Sequence, residues 1–338
     1  MNYLKSLNEA LHKAMELYPH AVIIGEDLLD PYGGAFKVSK GLSSKYPQRV
    51  FSTPISEAGF VGLATGMAMR GMLPIVEIMF GDFTALIVNQ ILNHGSKYRG
   101  MYNNKVDVPL LVRTPMGGGR GYGPTHSQSL EKLFLGIPGI NLISPSIYHD
   151  PQKILLSILA TEKKPTIFIE NKLLYPADLI DPENIPGNWK GLSDKKNYNT
   201  VVLSNNDFES NDLTFITYGA NAEVAINACN ELLYEEELTS EIIIISDLRN
   251  LPLEIIKNSI NKSGIVITLE EGTYRGGLGA EYSAVIHEHF FHILKHPVQR
   301  VASYDFPIPN SKTIESEILI NPKMVIKKVK QLLTNDYV

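Results

Sequence analysis

Glu57 is the residue of this chain whose position most plainly calls for chemistry. It lies in Thr53-Pro54-Ile55-Ser56-Glu57-Ala58-Gly59-Phe60-Val61-Gly62-Leu63-Ala64-Thr65-Gly66-Met67-Ala68-Met69, which reads as a helix opened by Pro and Ser and is otherwise apolar or small. The Ser56 hydroxyl can cap such a helix, and an acid in the first turn gains about 0.3–1 kcal/mol from the macrodipole. That explains an acid at a helix start, but not its surroundings. Gly59, Gly62 and Gly66 recur at helical spacing and leave one face without side chains, so something packs close to the backbone. Each glycine costs the helix about 0.8–1.0 kcal/mol relative to alanine, which implies a packing need. A carboxylate buried beside them is heavily penalised unless it meets a partner or shares a proton. No basic residue lies within a turn of it. Its partner must come from elsewhere in space, and a ligand able to exchange a proton is a candidate.

A second stretch, Pro115-Met116-Gly117-Gly118-Gly119-Arg120-Gly121-Tyr122-Gly123-Pro124-Thr125-His126-Ser127-Gln128-Ser129, follows the expected strand PLLVR and precedes the expected helix LEKLFL. Five glycines in the seven residues 117–123 allow sharp turns and close approach to a ligand. The lysine of a phosphate-binding loop is missing, and the glycines do not form a dinucleotide fingerprint. His126 is expected at the helix start, where the dipole favours neutral imidazole suited to proton transfer or hydrogen bonding; a structural histidine is the competing reading. A third stretch, Glu77-Ile78-Met79-Phe80-Gly81-Asp82-Phe83, runs from a strand into a helix, and its aromatic pair suits either a core or a flat heterocycle.

These residues need an α/β scaffold, and the rest of the chain supplies the pattern. AVIIGE, PIVEIM, PLLVRTP, NLISPS and PTIFIEN alternate with helical stretches, as expected for a mostly parallel sheet. From Ala177 the texture turns rich in Pro, Asn, Asp and Ser; residues 177–212 read as a linker or surface crossing. The alternation then resumes through LTFITYG, EIIIISD and GIVITLEE. The division expected is a first domain over 1–176 and a second, smaller α/β domain over 213–338. The chain has 338 residues, 44% hydrophobic and 20% charged, with a net charge of -5 that offers no footprint for nucleic acid. No apolar run reaches the roughly 18 residues of a membrane span, and the first residues form a polar amphipathic helix rather than a signal peptide; a cytoplasmic location is expected. Cys229, the single cysteine, sits in AINACNELL as a buried small hydrophobe.

The segments TPISEAGFVGLATGMAMRGMLPIVEIMFGDF, VPLLVRTPMGGGRGYGPTHSQSLEKLFLGIPGINLISPS and PTIFIENKLLYP together resemble the beta subunit of the thiamine-diphosphate-dependent 2-oxo acid dehydrogenases, the decarboxylating components for pyruvate, branched-chain 2-oxo acids and acetoin. GEDLLDPYGGAFKVSKGL fits the same pattern, with SDLRNLPLEIIKNSI and LEEGTYRGGLGAEY matching more loosely. The resemblance implies a transketolase-like architecture: a pyrimidine-binding α/β domain with a mostly parallel sheet and a smaller C-terminal α/β domain. It gives Glu57 a role, since the matching acid hydrogen-bonds the cofactor's aminopyrimidine and stabilises the imino tautomer that deprotonates the thiazolium carbon. Phe83 matches the aromatic stacked on that ring, and Ile55 and Met79 match residues lining its pocket. His126 matches the histidine that helps bind the substrate carboxyl group or assists acyl transfer to lipoyl. The glycine-faced helix is then expected to meet its counterpart across a subunit interface.

The departures are informative. A Gly-Asp-Gly motif followed by Asn would hold the diphosphate and its magnesium, but this chain has Gly81-Asp82-Phe83 and no such motif. The resemblance therefore places Mg2+ on a separate alpha chain and assigns no metal ligand here; Asn89 stands where the family commonly has Asp. The expected assembly is two alpha and two beta chains, with a lipoyl acyltransferase as acceptor. Alternatives are acetoin cleavage, a biosynthetic thiamine-diphosphate carboligase without a lipoyl partner, a non-catalytic scaffold of the same fold, and a nucleotide-binding α/β module. Retention of Glu57, Phe83 and His126 weighs against the scaffold, and the missing phosphate-binding fingerprint weighs against the nucleotide module.

Overall fold

A computed structural model describes residues 1–334. The chain forms two compact units, one built from Met1–Gly117, Leu133–Ile143 and Asp150–Leu179, the other from Gly118–Lys132, Ser144–His149 and the described residues 180–334. Both are α/β.

The first unit is built on a six-stranded sheet of β1 (Ala21–Gly25), β2 (Val50–Ser52), β3 (Leu73–Glu77), β4 (Leu111–Met116), β5 (Asn141–Ile143) and β6 (Thr166–Asn171). Their spatial order is β2-β1-β3-β4-β6-β5 and every pairing is parallel. Strands β1, β3, β4, β5 and β6 are buried along their whole length, as the continuous Val/Ile/Leu runs require of a sheet covered on both faces. Helix Tyr3–Leu17 turns Leu7, Leu11, Ala14 and Met15 inward and packs against helix Pro151–Thr161, which Asp150 caps by accepting from the N–H groups of Gln152 and Lys153. The chain leaves β1 for β2 on one side of the sheet and reaches β3 on the other. The carboxyl ends of these three strands therefore frame a switch point, where open α/β sheets bind ligands.

The second unit has a sheet of β7 (Lys190–Ser193), β8 (Val201–Ser204), β9 (Leu213–Tyr218), β10 (Ser240–Ile245), β11 (Val266–Thr273) and β12 (Gln299–Ser303), in the order β12-β11-β9-β10-β8-β7. The four strands from β12 to β10 are parallel, and β8 and β7 add antiparallel at the β10 edge. Here the structure differs from the expected linker over 177–212: that segment supplies the edge strand β7 and its neighbour β8. Lys190 and the half-buried alternation of β7 are typical of an edge strand, whose polar texture is easily mistaken for a crossing. Cys229 is fully buried on helix Asn221–Glu236, and burial pushes its thiol up to about 12. Among the described residues, no helix is long and apolar enough to cross a membrane.

Candidate active site

In the first unit, the residues singled out in the sequence leave the carboxyl ends of adjacent strands. Glu26 follows β1, Thr53 to Glu57 follow β2, and Ile78 to Phe83 follow β3. Parallel pairing puts these three exits on one edge of the sheet.

Helix Glu57–Met69 forms as expected, with Glu57 as its first residue. The side chain of Ser56 does not cap it: with φ −163° and ψ 71° its hydroxyl makes no capping hydrogen bond and lies over Gly59, where a Cβ would meet Oγ at 2.7 Å. The backbone N–H of Ser56 donates instead to the Glu26 carboxyl group. Glu57 is only 5% exposed, yet it has no hydrogen-bond or ion-pair partner among the described residues. Glu26 is equally buried, and its Oε1 is without a partner, as is the Oγ1 of Thr53. Burial first, then the charges of Glu57 and Asp27, push the Glu26 carboxyl above the usual carboxylate range. Two interacting buried acids thus share this end of the sheet with a hydroxyl, and the orphaned oxygens of Glu26 and Thr53 are costly unless something donates to them.

Apolar surface adjoins this polar cluster. Phe83 is half-buried and meets Phe80 edge-on at 5.8 Å, and Phe80 in turn meets Phe36 at 5.5 Å. Met79 is half-buried, whereas Ile55 is 85% exposed. The segment after Phe80 is not one regular helix: a 3-10 helix at Gly81–Ile87 passes into a π-helical turn at Gln90–Gly95 and then an α-helix at Ser96–Met101. At Gly81 the segment passes close to β4, where a Cβ would lie 2.3 Å from Met116 Cγ.

Beneath the strand exits runs a buried ionic network that the sequence reading missed. Arg113 on β4 donates to Glu170 Oε1 at 2.8 Å and Oε2 at 2.7 Å, and also to Glu77 Oε2. Ser39 donates to Glu77 and Tyr175 to Glu170, both at 2.7 Å. Burial alone would lower the Arg113 pKa, but Glu170 and Glu77 outweigh it and raise it, so the guanidinium stays charged. Removing one member of such a set costs about 3–5 kcal/mol. The signal was available in part, since an Arg in a buried strand requires acids on the flanking strands.

From Gly118 onward the glycine loop, with His126, belongs to the second unit. Gly117, Gly119, Gly121 and Gly123 all have φ between 73° and 95°, in the left-handed region. Contrary to expectation, His126 does not sit at a helix N-terminus: it lies in a turn, and the only following helix in the segment is the four-residue Lys132–Leu135. Its Nδ1 lies 3.0 Å from Thr125 Oγ1, and its ring is half-buried.

The sequence matches the family described as "Transketolase, pyrimidine binding domain" over residues 1–178 and "Transketolase, C-terminal domain" over residues 205–325. Relatives include the mitochondrial pyruvate dehydrogenase E1 component subunit beta-1 of Arabidopsis thaliana, 31% identical over 98% of this chain and 89% of that protein. The 2-oxoisovalerate dehydrogenase subunit beta of Bacillus subtilis is 33% identical over 98% of both chains. The acetoin:2,6-dichlorophenolindophenol oxidoreductase subunit beta of the same organism is 31% identical over 97% of this chain and 96% of that one.

The chain belongs to the beta-subunit family of the 2-oxo acid dehydrogenases.

This family is thiamine-diphosphate-dependent. The fold is transketolase-like, and a solved structure entitled "Split gene transketolase, inactive beta4 tetramer" superposes with a TM-score of 0.72 at 18% identity, covering 97% of each chain. At that identity the likeness speaks for the fold. For a beta subunit, an apolar helix face is no anomaly: Leu63 is 60% exposed, and a Cβ on Gly66 would meet nothing within 4 Å.

Proposed function

We propose that this beta subunit works in a heterotetramer with two alpha chains, decarboxylating a 2-oxo acid and passing the acyl group to a lipoyl-bearing acyltransferase. The observation that carries this reading is Glu57, almost wholly buried without a partner, beside the orphaned oxygens of Glu26 and Thr53. Those acceptors fit an aminopyrimidine, which can donate to a carboxylate and share a proton with it. In this reading Glu57 holds the proton at the ring nitrogen, Phe83 offers a face to the ring, and Ile55 and Met79 complete the apolar lining. Glu26 raises the energy of a second charge nearby and so favours a shared proton. His126 contacts the substrate carboxyl group or assists acyl transfer. When bound, thiamine diphosphate supplies the acidic ring carbon that attacks the oxo acid and the electron sink for loss of carbon dioxide.

The diphosphate and Mg2+ are assigned to the alpha chain, because this sequence has Gly81-Asp82-Phe83 in place of Gly-Asp-Gly. Their charges dominate cofactor affinity, since a diphosphate needs a divalent cation and oriented donors to leave water. Similarity to the acetoin enzyme subunit supports acetoin cleavage as a second reading. The test is calorimetry and a decarboxylation assay on the pure chain, with and without the cognate alpha chain. Magnesium-dependent cofactor binding and activity are expected to appear together when the alpha chain is added. Tight binding and full turnover by this polypeptide alone would overturn the subunit reading.

A further inference from the structure

The glycine loop invites a ligand by its composition, but its amides are already taken. Glu315, on helix Lys312–Ile318, accepts from the N–H of Gly119 at 2.9 Å with Oε1 and from the N–H of Gly121 at 2.8 Å with Oε2. Glu271, on β11, accepts from the N–H of Gly118 at 2.6 Å and from the Ser129 hydroxyl at 2.9 Å, both with Oε1. Residues 118 and 129 are the two ends of the loop, so one oxygen ties its entrance to its exit. Further along, Glu131 accepts from the Tyr218 hydroxyl, and Lys132 Nζ donates to the Arg275 carbonyl at 3.1 Å. His126 lies between these anchors.

We propose that Glu271 and Glu315 are positioning residues for His126: two internal carboxylates that occupy the loop's amide cradle and fix one conformation of an otherwise very free backbone. Successive N–H groups in a glycine-rich turn make an anion-binding concavity. Here the resident anion is the protein's own. Glu315 is 1% exposed, and its bonds to Gly119 and Gly121 are of the charge-assisted kind. The cradle is close-fitting, since a Cβ on Gly118 would lie 2.5 Å from Leu319 Cδ1 and 3.0 Å from Glu315 Oε1, so a larger residue there would have to displace these side chains. The clamp also links helix Lys312–Ile318 to the histidine loop. The placement of His126 in catalysis rests on the function proposed above, whereas the clamp itself does not.

Amide hydrogen exchange on the wild-type chain is the first test. The amides of Gly119 and Gly121 are expected to be protected although the loop is on the surface; exchange at the free-peptide rate would overturn the proposal. Glu315→Gln turns an amide N–H group toward one backbone donor and should speed exchange over residues 118–123 at least about tenfold, leaving β9 and β10 unchanged. Glu271→Gln keeps an acceptor oxygen for both of its bonds and should loosen the loop less. In the assembled enzyme, Glu315→Gln should raise the KM for the 2-oxo acid about tenfold with cofactor affinity retained. Wild-type exchange in Glu315→Gln, or acceleration spread equally over the sheet, would refute the clamp. Faster loop exchange with an unchanged KM and kcat would refute positioning. A wild-type chain that is clamped but inactive with every alpha chain would sink the functional reading alone.

Discussion

Glu26 and Glu57 oppose one another as two buried acids at the carboxyl ends of adjacent strands, and the Glu57 charge is second only to burial in raising the Glu26 pKa. Replacing Glu57 by Gln should therefore let the Glu26 pKa fall toward its ordinary value. Carbon-13 NMR titration of Glu26 in wild type and Glu57→Gln reads this directly. An unchanged Glu26 titration would mean that the two groups do not interact.

The exposed side of helix Glu57–Met69 gives a prediction with two opposite signs. Gly66 has open space around it, so Gly66→Ala should stabilise the isolated chain by up to about 1 kcal/mol through helix propensity. Gly66→Leu should in addition weaken assembly, because a long side chain separates surfaces that glycine lets approach. Denaturant unfolding and sedimentation measure the two effects. Assembly as tight in Gly66→Leu as in wild type would remove this face from the interface.

The sequence carried the fold because hydrophobic runs and turn residues are local signals. Strands of the first unit, helix Glu57–Met69 and the resumption of alternation after Leu213 all follow from near-neighbour patterns. What was lost depended on distant partners. Gly118 and Ser129 are tied to Glu271 across more than 140 residues, so 118–132 joins the second unit although it continues the chain of β4. Strand β7 was missed because its polar edge texture resembles a linker, and β8 because its short buried Val-Val-Leu run is enclosed by polar stretches on both sides. Glu57 was legible as an acid out of place. Glu26 was not, since its neighbours in sequence, Gly25 and Asp27, give no hint of Glu57.

Glu270 should make the second unit sensitive to pH. Burial, then the charge of Glu131, push its carboxyl up to about 7, against the opposing pull of the Gly279 N–H and Arg300. The folded state therefore holds a proton that the unfolded chain has released. Stability is greatest below the ordinary carboxylate pKa of about 4.3 and declines as pH rises through 7, by at most about 4 kcal/mol. Glu270→Gln should flatten that decline in unfolding measurements between pH 5 and about 8. An equally steep decline in the variant would show that Glu270 titrates normally.

His126→Ala should impair substrate use or acyl transfer while leaving thiamine diphosphate affinity in the assembled enzyme within about tenfold, or 1.4 kcal/mol. Calorimetry checks the binding and steady-state kinetics the turnover. Loss of cofactor binding in a folded variant would place this histidine at the cofactor instead of the substrate.

The most direct measurement is turnover of Glu57→Gln in the complex with the alpha chain, followed as 2-oxo acid decarboxylation with an artificial electron acceptor. Gln keeps the size of the side chain and cannot share a proton in the same way. Turnover should fall by roughly 10²–10⁴-fold, the usual range for a positioned acid–base group, with the fold intact. Near-wild-type turnover would contradict the account and leave Glu57 as no more than an acid at the start of a helix.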